Sequence, residues 1–424
     1  MNSARALTLN DALNEAFKNS PLIQKYESAK NEAYWKKIEN SSTYLPNLSA
    51  QATYLFDKKY ALTNVRLGNA TTDTIVPQII PNGQLALTAT YPLFEGFAGV
   101  ERLKSAKLQE EATINDNQWA RFKTEMGVTL NYYKILAAQS LYEIAGQNLK
   151  ILKDHLKEIQ LFKKNGMATN YDVLRVEVQV SNAESELLNA EDNISINIQN
   201  LSELIGLNDS QIEVKGVLPD ISFVTNEFIQ DQNKQSGELS RRPDILALKL
   251  KSQSYSSLEN AQSKFWFPKI SLFGQYQIYN NLNTSLSNSY RNAYQAGIQA
   301  TWNIFDGLVS YSKSKQSTEQ FIQSEKNYRI SEMAAQKDLE IWKRKIYFNS
   351  SLFKARKSDI LKSEESVRLA REGRRVGSRS NTDLLDAEAD LYKSQAGAIN
   401  AHIGTIEALI NYQMASGKKI LNLQ

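Results

Sequence analysis

Apolar residues along this chain change period from about 3.6 to 2 and back, and then repeat the whole series. Leu9 to Asn19 reads as a short amphipathic helix, and Ile23, Tyr26, Ala29, Ala33 and Ile38 place a second helical face before residue 43. Pro21 suits the first turn of that helix, while Pro46 lies past its end, because the residue before a proline prefers extended geometry. Leu48, Ala50, Ala52, Tyr54 and Phe56 then alternate with Ser49, Gln51, Thr53 and Leu55, which predicts a strand over 47–57. After a polar stretch, Leu85, Leu87, Ala89 and Tyr91 alternate with Gln84, Ala86, Thr88 and Thr90, predicting a strand over 83–92. From Gly96 to Lys164 there is no proline, and at 1.5 Å per residue the predicted helix is a rod of roughly 100 Å.

The series returns with a helix over 243–265, strands over 269–279 and 293–303, and a second breaker-free rod from Leu308 to Val376. Particular residues return with it. Ser20-Pro21-Leu22-Ile23 matches Arg242-Pro243-Asp244-Ile245, and Tyr44-Leu45-Pro46 matches Trp266-Phe267-Pro268, both 222 positions on. Phe94-Glu95-Gly96 matches Phe305-Asp306-Gly307 at an offset of 211, so an 11-residue difference falls between Pro46 and Phe94. A duplicated unit explains a register kept over this length. The expected organisation is a first repeat over 1–206 (helices within 9–43, hairpin 96–206), a link over 207–240, a second repeat over 241–417 (hairpin 307–417), and a tail over 418–424. The link is expected to add a small strand and helix.

Both rods end in the same device. Lys163-Lys164-Asn165-Gly166 and Arg374-Arg375-Val376-Gly377 place cations in a last helical turn and glycine where a left-handed cap is wanted. Thr169 then caps the next helix with Asp172 three residues on, and Ser380 pairs with Asp383 likewise. Each repeat therefore holds a long antiparallel hairpin, its seam rich in small residues: Ala98, Ala106, Ala112, Ala120, Ala137 and Ala138 in the first.

Each strand has one apolar face and one small or amide-bearing face. Such alternation also fits a soluble sandwich, but four strands leave open edges, and the second face is too polar for a core. Closure with other subunits into a barrel satisfies every backbone group, with lipid outside and water inside. Tyr54, Tyr91, Tyr276, Tyr294 and Trp302 then suit the membrane interface. The rival class is a soluble coiled-coil structural or scaffold protein whose strands form a small cap.

Composition narrows the chemistry. There is no cysteine, which excludes disulfides, and the two histidines, His155 and His402, lie far apart within helical pattern, so no metal and no other cofactor is expected. Fifty basic and 46 acidic residues give a net charge of +4, with no basic field suited to nucleic acid. The dense run Arg368, Arg371, Arg374, Arg375 and Arg379 sits where a helix end favours cations. No apolar run is long enough for a transmembrane helix. Met1 to Arg5 begins no signal-like segment, which leaves an intracellular chain or a mature form.

Taken together, Arg242-Pro243-Asp244-Ile245, the junctions Tyr91-Pro92-Leu93-Phe94-Glu95-Gly96 and Trp302-Asn303-Ile304-Phe305-Asp306-Gly307, and the turns running into Asp172-Val173-Leu174 and Asp383-Leu384-Leu385-Asp386 resemble the TolC-type outer membrane efflux and secretion channels of Gram-negative bacteria. The resemblance covers Leu9 to Gly417. It implies a mixed α+β membrane protein: a homotrimer whose protomers each give four strands to one 12-stranded β-barrel in outer membrane lipid, continuous with a long α-helical barrel in the periplasm. It implies a mature chain, a periplasmic adaptor (membrane fusion) protein and an inner-membrane pump or export ATPase as partners, and no enzymatic activity. By motif match it places a periplasmic gate at Asp383, Asp386 and Arg379, opened by rotation of the inner hairpins. It turns Gly166, Thr169, Asp172, Gly377 and Ser380 toward the adaptor. Asp383 and Asp386 share one helix face, and threefold symmetry makes each a ring; the first repeat has Arg175 where Asp386 stands.

Overall fold

Where the apolar period is near 3.6 the chain is helical, and where it is two the chain is extended. The computed structural model describes residues 5–56, 62–65, 68, 74–77, 81–207, 212–221, 242–280 and 290–419. In chain order these hold β1 (Arg5–Leu7), α1 (Leu9–Asn19), α2 (Pro21–Ser41), β2 (Asn47–Tyr54), β3 (Leu62–Val65), β4 (Thr74–Pro77), β5 (Gly83–Phe94), α3 (Ala98–Lys164), α4 (Asn170–Ile205), β6 (Ile212–Val214), α5 (Pro243–Ser263), β7 (Lys269–Asn280), β8 (Tyr290–Thr301), α6 (Val309–Arg375) and α7 (Asn381–Ser416). The two halves match in length: α2 and α5 have 21 residues each, α3 and α6 have 67, and α4 and α7 have 36. No described helix is long and apolar enough to cross a membrane. The helix expected in the link falls on residues outside those described.

The chain divides into two compact units. One comprises Asn31–Glu111 and Leu250–Lys326. Its centre is an antiparallel sheet in the order β2-β5-β7-β8, so β2 and β8 are edges with one neighbour each. Every residue of β2 is exposed, and almost every residue of β8. Neither face of those strands is covered. β5 runs on through Pro92, which the alternation did not anticipate; a register irregularity against β7 between Pro92 and Phe94 accommodates the missing donor. β3 and β4 pair as a hairpin in the connection where the repeats differ in length. Small groups let the helices of this unit meet closely: Ala33, Ala98, Ala106 and Ala261 are buried, and Ser105 and Ser254 touch through their hydroxyls at 2.9 Å.

The other unit comprises Met1–Lys30, Ala112–Lys249 and Asn327–Gln424. β1 and β6 form a parallel pair, Arg5 opposite Ile212 and Leu7 opposite Val214. Leu7, Ile135, Leu201, Ile346, Ile406 and Leu409 are fully buried in its main core, sealed by Ala12 and Ala16 of α1. Smaller apolar clusters around Val176 and Leu384 serve the hairpin tips. His402 packs on Phe353 with its Nε2 at 2.8 Å from the Pro219 carbonyl, and burial pushes its imidazole below the usual histidine range.

The Arg242-Pro243-Asp244 motif has a structural account within this unit. Arg242 grips Asp244 through Nε and Nη2 at 2.7 Å each, donates from Nη1 to the Ala415 carbonyl at 3.0 Å, and stacks over Trp119. It thereby closes the C-terminus of α7, where Gly417 sits at φ +70° and a Cβ would lie 2.6 Å from Arg242 Cγ. Arg242→Ala is expected to destabilise the fold by about 2–4 kcal/mol, since it strands a partly buried carboxylate and a helix-end carbonyl. Arg242→Lys should recover only part of this, having lost the fork. Urea unfolding followed by circular dichroism measures both, and equal midpoints for all three proteins would refute the account.

Candidate functional site: the hairpin tips and the strand faces

The two tips are built alike. Past Lys164, the Gly166 N–H bonds the Lys163 carbonyl at 3.0 Å and the Met167 N–H bonds Phe162 at 2.8 Å. Past Arg375, Gly377 bonds Arg374 at 3.1 Å and Ser378 bonds Gly373 at 2.8 Å. Gly166 and Gly377 have φ of +76° and +75° with open space where a Cβ would stand, so the backbone angle alone selects glycine. Thr169 and Asp172 form a reciprocal capping box, as do Ser380 and Asp383. Hydrogen bonds from the Thr169 hydroxyl and then its N–H hold the Asp172 carboxyl below its ordinary range. The Ser380 N–H and then its hydroxyl do the same for Asp383. Gly166, Thr169, Gly377, Ser380 and Asp383 are exposed, and Asp172 is half-buried.

Besides the apolar cores, ion pairs and side-chain hydrogen bonds join one hairpin to the other. Arg175 of α4 reaches Thr382 at 3.2 Å and Asp386 at 3.4 Å, both on α7. Arg374 of α6 contacts Glu158 and, at 3.4 Å, His155 Nδ1 of α3, and also holds Asn381 at 3.1 Å. Tyr392 of α7 bonds Glu186 of α4, and burial with that bond pushes its phenol up to about 12. Arg379 is exposed, with its N–H on the Gly373 carbonyl at 3.2 Å and its side chain over Gly373. Asp383 and Asp386 are therefore brought together on one helix, while the cations bridging the hairpins near the tips are Arg374 and Arg175, with Lys134 of α3 meeting Glu407 of α7 at 3.4 Å farther along. Spacing alone explained Arg374 as a last-turn cation. The signal for Arg175 was its place 211 positions before Asp386, with opposite charge.

Between the tips lies a groove of about 950 Å³ lined by Ile151, His155, Phe162, Met167, Arg374 and Glu388, among others. His155 is 6% exposed and Glu388 7%; among the described residues His155 Nε2 and Glu388 Oε2 have no hydrogen-bond partner. No described group of three or more His, Cys, Asp or Glu has metal-binding geometry.

The strand pairing sorts most side chains by face, with Phe273 and Tyr279 the large rings on the amide-bearing side. Leu85 faces Ile278, Leu87 faces Tyr276, Leu272 faces Ile298 and Tyr276 faces Tyr294 on one side. On the other, Ser49 faces Thr88, Thr88 faces Gln275 and Gln275 faces Gln295. Tyr54, Tyr91, Tyr276, Tyr294 and Trp302 are all exposed. The first four lie on the apolar face, and Trp302, one residue past β8, donates its indole N–H to the Trp266 carbonyl at 2.9 Å. The one amide on that face of β8, Asn292, is satisfied by the Tyr276 hydroxyl at 3.1 Å.

The family described as outer membrane efflux protein matches residues 12–207 and 236–417. Among curated proteins, the outer membrane protein TolC of Vibrio cholerae serotype O1 is 19% identical over 425 residues, which is 97% of this chain and 91% of that protein. The probable efflux pump outer membrane protein TtgC of Pseudomonas putida is 22% identical over 374 residues, 82% of this chain and 74% of that one. Among solved structures, a membrane protein from Pseudomonas aeruginosa has a TM-score of 0.79 at 18% identity, covering 96% of this chain and 93% of that one. The outer membrane protein VceC from Vibrio cholerae gives 0.79 at 16% identity over 97% of each chain. These structures establish the fold, and the family match spans most of the sequence. The chain belongs to the outer membrane efflux protein family.

Proposed function

We propose that three copies of this chain close a single duct, with β8 of one protomer pairing with β2 of the next to complete a 12-stranded barrel. As a family member the chain is an outer membrane channel component of tripartite efflux and secretion systems, extending into the periplasm. It is a passive conduit rather than an enzyme, with a periplasmic adaptor and an inner-membrane transporter as partners. The observation that carries the trimer is the sheet: two open edges and two uncovered faces, one apolar and one amide-bearing. Apolar side chains meet lipid, and Tyr54, Tyr91, Tyr276, Tyr294 and Trp302 sit at its interfaces. Matched element lengths support reading 1–206 and 241–417 as repeats joined by 207–240 and followed by 418–424.

The chain has no cysteine, so closure is testable without background. A cysteine at Ser49 on β2, combined in turn with one at each amide-face position of β8, should give cross-linked trimers on non-reducing gels. Failure at every position would end the proposal.

The tips form the gate in this reading. Threefold symmetry makes rings of Asp383 and of Asp386, which attract cations and repel one another. Arg379 stands beside Asp383, Arg374 and Arg175 fasten the hairpins, and the turns Gly166–Asp172 and Gly377–Ser380 meet the adaptor. A D383A/D386A channel should show higher single-channel conductance and lose its cation preference, the conductance rising partly because Arg175 is released. Ser380→Ala, which removes the cap but keeps both carboxylates, should leave the preference intact. Unchanged conductance and preference in D383A/D386A would refute the gate assignment.

A further inference from the structure

The four strands of the sheet hold only two charged residues, Lys269 and Arg291, and no carboxylate. Both fall on the amide-bearing face. Lys269 lies opposite Thr301 and Arg291 opposite Tyr279, in the same alternation as the Ser271–Gln299 and Gln275–Gln295 pairs. The amides of this face bond one another, Gln84 to Gln277 at 3.1 Å and Gln295 to Gln275 at 2.7 Å, so they add dipoles but no net charge. Among the described residues neither cation has an ion-pair partner. Lys269 opens β7 and Arg291 begins β8, so along the ladder they stand about 33 Å apart, near its two ends. The connections add no acidic balance in sequence: residues 57–82 carry Asp57 and Asp73 against Lys58, Lys59 and Arg66, and residues 281–289 carry no charge.

We propose that Arg291 and Lys269 are specificity-determining residues that make the sheet-lined bore select anionic solutes over cationic ones. The favoured class is cargo bearing phosphate, sulfate or carboxylate groups. The inference rests on the trimeric barrel reading. Threefold symmetry turns each residue into a ring of three cations on a water-filled wall backed by lipid. Field lines concentrate there, and cationic rings of this kind favour anions. At about 0.1 M salt the screening length is about 10 Å, so each ring acts on solutes passing through its own plane and the two act separately. A wall free of carboxylates gives a cation no compensating site along the sheet.

The test uses the full trimer in planar bilayers, on a D383A/D386A background so that the tip carboxylates do not set the selectivity. Reversal potentials in a potassium chloride gradient, and current block by inositol hexakisphosphate, are compared for the parent, R291Q/K269Q and R291E. The parent should prefer chloride and be blocked. R291Q/K269Q should reduce that preference and weaken block at least tenfold, and R291E should reverse the preference. Raising salt to 1 M should erase most of the difference. Heat-stable trimer on gels confirms that the exposed substitutions leave assembly intact. Conducting trimers with the same ion preference and the same block in all three proteins would overturn the inference and leave the barrel standing. A trimer that forms no conductance at all would overturn both.

Discussion

An Arg374→Glu channel is expected to pass several-fold more current than the parent at equal voltage, and adding Glu158→Arg should restore most of the closure. Arg374 bridges α6 to Glu158 and His155 of α3 while holding Asn381 at the start of α7. Reversing its charge replaces attraction by repulsion at a point where helices from both hairpins meet. Glu158 is partly exposed, so each tie is worth only about 1–2 kcal/mol after solvent screening. In the proposed trimer three ties act on one opening, and a shift of roughly 3–6 kcal/mol moves a two-state equilibrium by two to four decades. The exchanged pair tests the tie itself, because a merely structural arginine would not be rescued by moving its charge across the groove. Current equal to the parent in Arg374→Glu, with trimer retained, would exclude Arg374 as a fastening.

The second large effect is expected at a glycine whose counterpart in the other half has room for a side chain. Gly96 and Gly307 occupy matching strand-to-helix junctions at φ +65° and +68°. Alanine at either position costs about 1 kcal/mol for the left-handed backbone alone. At Gly96 a Cβ would also lie 2.5 Å from Phe267 Cβ and 3.4 Å from the Lys264 carbonyl, whereas at Gly307 it meets nothing within 4 Å. Overpacking of that kind adds about 1–3 kcal/mol. Gly96→Ala should therefore lower the yield of folded protein and its urea midpoint far more than Gly307→Ala. Equal losses would show that backbone angle alone governs both sites. The residues that follow, Phe97 and Leu308, are also left-handed at φ 63° and 69°, so both junctions hold backbone strain at a residue that carries a side chain. Phe97 is held by an edge-on contact with Phe94, ring centroids 5.2 Å apart.

The long helices were legible because a helical apolar period runs through them with no proline to break it, and the capping boxes because their partners lie three residues apart. The strands were legible where alternation was clean. At their margins it was not: Pro92 hid the end of β5 behind its missing N–H, and Arg291 and Asn292 made the start of β8 look like loop. β1 escaped notice because its partner, β6, lies some 200 residues away, and a three-residue strand has no period of its own. The β3–β4 hairpin was masked by a polar stretch rich in asparagine and threonine. For the tips, Asp383 and Asp386 could be placed by motif, but Arg374–Glu158 and Arg175–Asp386 join residues more than 200 positions apart, and local pattern carries no information about such partners. The Arg175–Asp386 pair was half visible, since duplication put opposite charges in equivalent slots.

α3 and α6 both span 67 residues, and this ties their lengths together. Deleting one residue from either rod turns its far cap by about 100° about the axis and shortens it by about 1.5 Å, which misaligns every side chain meeting the other rod. Removing seven turns it by only about 20°. Rod length can therefore drift only in near-integral turns, taken by both rods and by their 36-residue return helices together, and the span of the duct is inherited as a quantised, jointly constrained dimension.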